Sequence, residues 1–93
     1  NEPGLYHEGQ YGIRIENLVA TRLKENTSTI YGDFLEFETL TLCPIHIDCI
    51  DLNLLTTEEK AWLNQYHTTV REKLSPSLTG EVLDWLIHNT RNI

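Results

Sequence analysis

Asn-Glu-Pro-Gly-Leu-Tyr at 1–6 and Gly-Ile-Arg-Ile-Glu-Asn at 12–17 are two segments joined by His-Glu-Gly-Gln-Tyr at 7–11. The second segment alternates apolar and charged residues, as a half-buried strand does. The alternation places Arg14 and Glu16 on one face of that strand, and Ile13 and Ile15 on the other. The polar connector contains a glycine and is typical of a chain reversal. We therefore predict a hairpin that brings Glu2 close to Glu16.

Two neighbouring carboxylates are the oxygen donors that a hard divalent cation needs. Spacing alone favours a plainer interpretation, in which two glutamates on adjacent strands are solvated or ion-paired. The Glu-Pro-Gly sequence adds a local constraint, because Pro3 fixes φ and Gly4 permits positive φ. We expect the chain to turn sharply after Glu2, which would hold that carboxylate in one orientation.

Size and composition bound the kind of protein. The 93 residues allow one small domain, 40% are hydrophobic, and the net charge of −7 argues against a nucleic-acid partner. No apolar run is long enough to predict a membrane span. The chain contains no methionine, and we expect it to be a piece of a longer protein. Cys43 and Cys49 would lie about 20 Å apart on an extended chain, too far for a disulfide, so free thiols are expected unless Pro44 bends the path.

The order of elements predicts an α+β fold. Antiparallel strands are expected over residues 12–23 and 34–43, followed by a helical hairpin over 57–74 and 80–90. Thr56 with Glu59 forms a capping box at the start of the first helix, and Pro76 ends it. An apolar stripe along this helix is formed by Trp62, Leu63, Tyr66, Val70 and Leu74.

Other chemical signatures are weak. The sequence has no His-x-x-x-His pair, no Cys-x-x-Cys pair and no Gly-x-Ser-x-Gly elbow. His67 and His88 lie on the predicted helices, where packed or surface histidines are the expected outcome. His7, in the connector between the two glutamates, is a weaker candidate for lining a ligand pocket.

The motifs around Glu2 and Glu16 resemble the last two metal-ligand motifs of the M24 pita-bread metallopeptidases, specifically the aminopeptidase P branch. The similarity continues in Phe34–Leu42, in Trp62–His67 and in Trp85-Leu86. The resemblance implies that residues 1–45 are the C-terminal strands of a pita-bread catalytic domain. Residues 46–93 would then be the helical region appended to it.

The resemblance also implies a dinuclear site with manganese or zinc ions. The family binds its metals through two aspartates, one histidine and two glutamates, and Glu2 and Glu16 match the fourth and fifth ligands. Glu2 would also accept a proton from the attacking water. Tyr6 and Arg14 match residues that assist proton transfer and hold the last ligand. The reaction implied is hydrolysis of the bond between an N-terminal residue and a following proline, with Xaa-Pro peptides as substrates.

The first three ligands of that set are expected upstream of Asn1. Asp33, Asp48 and Asp51 all follow Glu16 and are in the wrong order to replace them. We therefore expect the chain alone to be inactive and to bind no metal tightly. The alternative is a non-catalytic interaction or structural module related to M24. We also expect a cytoplasmic location, a homo-oligomer and no membrane partner.

Overall fold

Two antiparallel hairpins form Asn1–Thr41, the first of two compact units in a computed structural model that describes residues 1–93. The first hairpin pairs β1 with β2 and the second pairs β3 with β4. The strands are β1 (Gly4–His7), β2 (Tyr11–Arg14), β3 (Val19–Leu23) and β4 (Leu35–Thr39). The predicted chain reversal at 7–11 is confirmed: Gly9 has φ of +69°, and the Gln10 N–H donates to the carbonyl oxygen of His7 at 3.0 Å.

The strand predicted over 12–23 is divided into β2 and β3. Beyond Arg14 the chain still pairs with the first segment, because the Asn17 N–H donates to the Asn1 carbonyl at 3.1 Å. At Leu18 it changes partner and accepts from the Leu40 N–H at 2.8 Å. Residues 15–18 form the junction between these two pairings and do not belong to a regular strand. The strand predicted over 34–43 is shorter than expected and ends at Thr39.

The second unit, Leu42–Ile93, contains two α-helices. These are α1 (Thr57–Leu74) and α2 (Gly80–Asn89), joined through a 3₁₀ turn at Ser75–Ser77. The predicted capping box is confirmed: the Glu59 N–H donates to Thr56 Oγ1 at 3.2 Å, and the Thr56 N–H donates to Glu59 Oε2 at 2.8 Å. The segment before α1 contains a 3₁₀ turn at Ile47–Cys49.

The hydrophobic core of the second unit lies between the two helices. Its buried residues are Leu63, Tyr66, Val70 and Leu86. Trp62 belongs to the predicted stripe but is 49% exposed, because the buried face of α1 is centred on Leu63, Tyr66 and Val70 instead. His67, next to Tyr66, is fully buried, so the packed alternative for this histidine is the one observed.

Side-chain hydrogen bonds from α1 hold the start of the second unit. Tyr66 donates its hydroxyl to the Cys43 carbonyl at 2.8 Å. The Ile45 N–H donates to His67 Nε2 at 3.0 Å. Two adjacent helical residues therefore fix the backbone between Cys43 and Ile45. Cys43 and Cys49 are both free and exposed.

The α+β fold class is confirmed by these strands and helices. No helix combines the length and apolar character that a membrane crossing requires. The assignment of 1–45 to a catalytic domain and of 46–93 to an appended region stays a prediction.

Candidate metal centre

Glu2 and Glu16 occupy opposed positions at the open end of the first hairpin. The register pairs Gly4 with Arg14 and Leu5 with Ile13. It continues beyond β1, since the Ile15 N–H donates to the Pro3 carbonyl at 3.3 Å and the Asn17 N–H donates to the Asn1 carbonyl at 3.1 Å. Glu2 and Glu16 lie between these two hydrogen-bonded positions. Residues at such a position of an antiparallel pair have Cα atoms about 4.5 Å apart and side chains on the same face.

Arg14 and Tyr6 lie on this same face, since residues two apart in a strand share a side. Arg14 Nε donates to Glu16 Oε2 at 2.9 Å. The Glu16 carboxylate raises the pKa of the Arg14 guanidinium above its ordinary value. Tyr6, which hydrogen-bonds Arg14, raises this pKa further, and Glu2 adds a smaller increase. All four sequence-predicted site residues therefore interact electrostatically on one face, which we call the carboxylate face (Glu2, Tyr6, Arg14, Glu16).

Two glycines make room for the Tyr6 ring on the carboxylate face. A Cβ on Gly4 would lie 2.7 Å from Tyr6 Oη, and a Cβ on Gly12 would lie 2.7 Å from Tyr6 Cδ1. Real Cβ atoms do not approach so closely, so the ring needs both glycines. The sharp turn predicted at Gly4 is wrong, because Gly4 begins β1 and has no positive φ. Its role is to allow the close approach of Tyr6, which the register pairs with Gly12.

The carboxylate face is open to solvent. The side chains of Arg14 and Glu16 are 49% and 50% exposed, and Glu2 and Tyr6 are exposed as well. An ion could therefore reach the two carboxylates without displacing any part of the hairpin.

His7 and Tyr11 lie on the opposite face of the hairpin. His7 pairs with Tyr11, and their ring centroids are 4.8 Å apart. His7 alternates with Tyr6 along β1, so it points away from the two glutamates. His7 therefore lies on the face opposite to the two glutamates, and a role in lining a ligand pocket stays a prediction.

Asn17 is a site residue that the sequence reasoning missed. It is 8% exposed, and its Oδ1 accepts from Asn1 Nδ2 at 2.8 Å. Asn1 precedes Glu2 and Asn17 follows Glu16, so this amide pair lies one position beyond the carboxylate pair, on the opposite face of the hairpin. The available signal was an asparagine at a position where the alternation Ile13, Ile15 predicts an apolar residue.

The carboxylates of Glu2 and Glu16 are donors of the right type for a divalent cation, but two ligands are too few to enclose one. Carboxylate oxygens on adjacent strands suit hard cations such as Mg²⁺ or Mn²⁺. No group of three or more His, Cys, Asp or Glu side chains in the chain is placed to hold a metal ion. The chain therefore offers a pair of ligands and not a closed coordination sphere.

Comparison with protein families identifies the chain. The C-terminal region of peptidase M24 matches residues 33–93. The chain belongs to this family. The matched residues include β4 and the whole of the second unit of this chain.

Curated relatives extend the similarity to the first hairpin. The "Probable Xaa-Pro aminopeptidase P" of Laccaria bicolor is 46% identical over 90 residues, which cover 92% of this chain and 14% of the relative. Aminopeptidase P2 of Arabidopsis thaliana is 46% identical over 93 residues, which cover 98% of this chain and 13% of the relative. The M24 chain thus spans about a seventh of the length of the relatives that it matches.

A solved structure has the same fold. The X-prolyl aminopeptidase of Caenorhabditis elegans superimposes with a TM-score of 0.83 and 39% identity, over 99% of this chain and 16% of that protein. It is described as a cytosolic enzyme with a di-nuclear active site. The α+β arrangement of this chain is therefore that of the corresponding part of an X-prolyl aminopeptidase.

Proposed function

We propose that this chain is the C-terminal part of a dinuclear-metal Xaa-Pro aminopeptidase, an enzyme that releases an N-terminal residue preceding proline. The observation that carries the proposal is the opposed placement of Glu2 and Glu16 on the carboxylate face, with Arg14 bound to Glu16 at 2.9 Å. The relatives named Xaa-Pro aminopeptidase P and the di-nuclear active site of the C. elegans enzyme support it.

Glu2 and Glu16 would supply two of the five metal ligands, with Glu16 shared between both ions. The ions, manganese or zinc, would activate water and polarise the carbonyl of the scissile peptide bond when bound. Glu2 would accept a proton from the attacking water. The carboxylates are exposed, so substrate and solvent can reach them.

Arg14 and Tyr6 would act behind the ligands. Arg14 fixes one oxygen of Glu16 and leaves the other free to bind metal. Tyr6 is held over Gly4 and Gly12, and its hydroxyl lies beside Arg14. We propose that the Tyr6 hydroxyl donates a hydrogen bond where negative charge develops on the substrate.

The 93-residue chain alone is expected to be inactive and to bind metal weakly. Two carboxylates are fewer ligands than a stable dinuclear site requires, and the chain contains no larger cluster of donors. In the longer protein we propose a cytoplasmic location, supported by the description of the C. elegans enzyme as cytosolic. A homo-oligomer is part of the same proposal.

Substitution of Glu16 in the longer protein tests this function. We expect Glu16→Gln to lower the bound metal from two ions to one or none per chain and to reduce Xaa-Pro hydrolysis to background. Glu25→Gln, in the exposed loop after β3, is the matched control and should keep both. Retention of two ions and full hydrolysis by Glu16→Gln would show that the proposed ligand set is wrong.

A further inference from the structure

We propose that Asn17 is a positioning residue for the metal ligands, and that its side chain fixes the separation of Glu2 and Glu16. This inference rests on the proposed function, since it assigns a role toward the same two carboxylates. It concerns a buried residue on the face of the hairpin opposite to the carboxylates.

Asn17 is the one buried residue of the first unit, Asn1–Thr41. A primary amide is costly to bury unless it is hydrogen-bonded. At 8% exposure the amide of Asn17 satisfies both of its ends: Oδ1 accepts from Asn1 Nδ2 at 2.8 Å, and Nδ2 donates to Thr39 Oγ1 at 3.5 Å. An apolar residue would bury here at lower cost, so the amide is explained by the bonds that it makes.

These bonds lie next to the ligands along both segments. Asn1 precedes Glu2 and Asn17 follows Glu16, and the two asparagines are also joined by the backbone bond from Asn17 N–H to the Asn1 carbonyl at 3.1 Å. The pair Asn1–Asn17 therefore closes the open end of the hairpin one position beyond Glu2 and Glu16. The next hydrogen bond of this hairpin toward the turn is the one between Ile15 and Pro3, at 3.3 Å.

Asn17 also joins the two hairpins of the first unit. The β1–β2 and β3–β4 sheets share no strand pairing. Asn17 bonds the first segment through Asn1 and bonds β4 through Thr39. The adjacent Leu18 strengthens the second connection, since its N–H donates to Thr41 Oγ1 at 2.7 Å.

The consequence for metal binding follows from charge and geometry. Glu2 and Glu16 are like charges in opposed positions, so their repulsion tends to open the hairpin end before an ion arrives. Productive metal sites hold their ligands to within about 0.5 Å, through neighbours that have no contact with the ion. The buried Asn17 amide provides such a constraint on the face opposite to the carboxylates.

The test compares Mn²⁺ affinity and Xaa-Pro hydrolysis in the longer protein that carries this chain. The variants are Asn17→Ala, which removes both bonds, and Asn1→Ala, which removes the 2.8 Å bond from an exposed position. We expect each to weaken Mn²⁺ binding about 10- to 100-fold. We also expect kcat to fall with KM unchanged, and hydrolysis to recover at high Mn²⁺. Thr27→Ala, which removes a bond to the Lys24 carbonyl at the far end of the second hairpin, should change neither quantity.

The outcomes separate the two proposals. If Asn17→Ala fails to fold, Asn1→Ala decides, because Asn1 is exposed. Wild-type Mn²⁺ affinity in Asn1→Ala, together with metal loss in Glu16→Gln, would overturn the positioning role and leave the proposed function standing. Wild-type metal content in Glu16→Gln would overturn both.

Discussion

Arg14 donates from Nε to Oε2 of Glu16 at 2.9 Å, and this contact fixes one oxygen of a carboxylate that faces Glu2 across the hairpin. The second hairpin contains an Arg–Glu contact of the same length, in which Arg22 Nε donates to Glu36 Oε1 at 2.9 Å across the strand pair. Both pairs are partly exposed, so neither is expected to contribute much to stability. Only the first pair includes a proposed metal ligand.

Replacement of Arg14 is therefore expected to affect function and not stability. Arg14→Lys keeps the charge but loses the planar guanidinium that holds Glu16. In the longer protein we expect Xaa-Pro hydrolysis to fall about 10- to 100-fold, with an unchanged melting temperature. Arg22→Lys is the matched control and should retain wild-type activity. Equal activity in the two variants would show that the Arg14–Glu16 contact has no role in the site.

The buried His67 makes the stability of the second unit depend on pH. Burial lowers the pKa of His67 below its ordinary value of 6.5, and Arg71 lowers it further. The folded state therefore binds the proton more weakly than the unfolded state does, and stability rises with pH wherever the unfolded state carries more protons. The contribution of neutral His67 to the free energy of unfolding is complete above pH 6.5, and it is lost progressively as the pH falls below that value.

Urea unfolding of the chain at about pH 7.5 and about pH 5 measures this dependence. We expect a lower midpoint at the acidic pH. His67→Gln stays neutral throughout and can still accept from the Ile45 N–H, so much of the difference should disappear. His88→Gln, at an exposed position, should keep it. The same pH difference in His67→Gln as in the wild type would contradict the assignment.

The helix caps give a prediction of stability alone. Thr56 caps α1 with a reciprocal capping box, whereas Thr79 at the N-cap of α2 makes no side-chain bond. Thr56→Ala should cost about 1 kcal/mol of unfolding free energy. Thr79→Ala should cost clearly less, because no side-chain bond is lost. Chemical denaturation of both variants checks the difference, and equal losses would argue against the cap.

The apolar face of the first hairpin predicts self-association of the isolated chain. Leu5 is opposed to Ile13, and the two are 58% and 51% exposed. Exposed apolar residues on an unpaired sheet face promote association. Light scattering should show a mass above that of one chain, and Ile13→Lys should reduce it. Gln10→Lys adds the same charge in the turn and should have less effect; a strictly monomeric wild type would contradict the prediction.

Local signals in the sequence were sufficient for the helices and for the first hairpin. The capping box at Thr56 and the proline at 76 bound α1 where the structure has it. The glycine-containing connector also predicted the pairing that opposes Glu2 to Glu16. These features depend on neighbouring residues only, which a single sequence displays.

Features set by tertiary contacts were not predicted. The junction at residues 15–18 exists because the chain changes partner from the first segment to β4, and residue alternation carries no record of which partner a strand has. Trp62 fits the helical stripe but remains 49% exposed, since the position of α2 selects which part of the stripe is covered. The burial of Asn17 depends on Asn1 and Thr39, which lie 16 and 22 residues away.

The proposed function requires that Glu2 and Glu16 bind metal together. Anomalous scattering at the manganese edge, from crystals of the longer protein grown with Mn²⁺, tests it most directly. We predict two peaks, with a carboxylate oxygen of Glu16 bound to both and one of Glu2 bound to at least one. Manganese peaks that leave either Glu2 or Glu16 outside the coordination sphere would show that the proposed ligand pair is wrong.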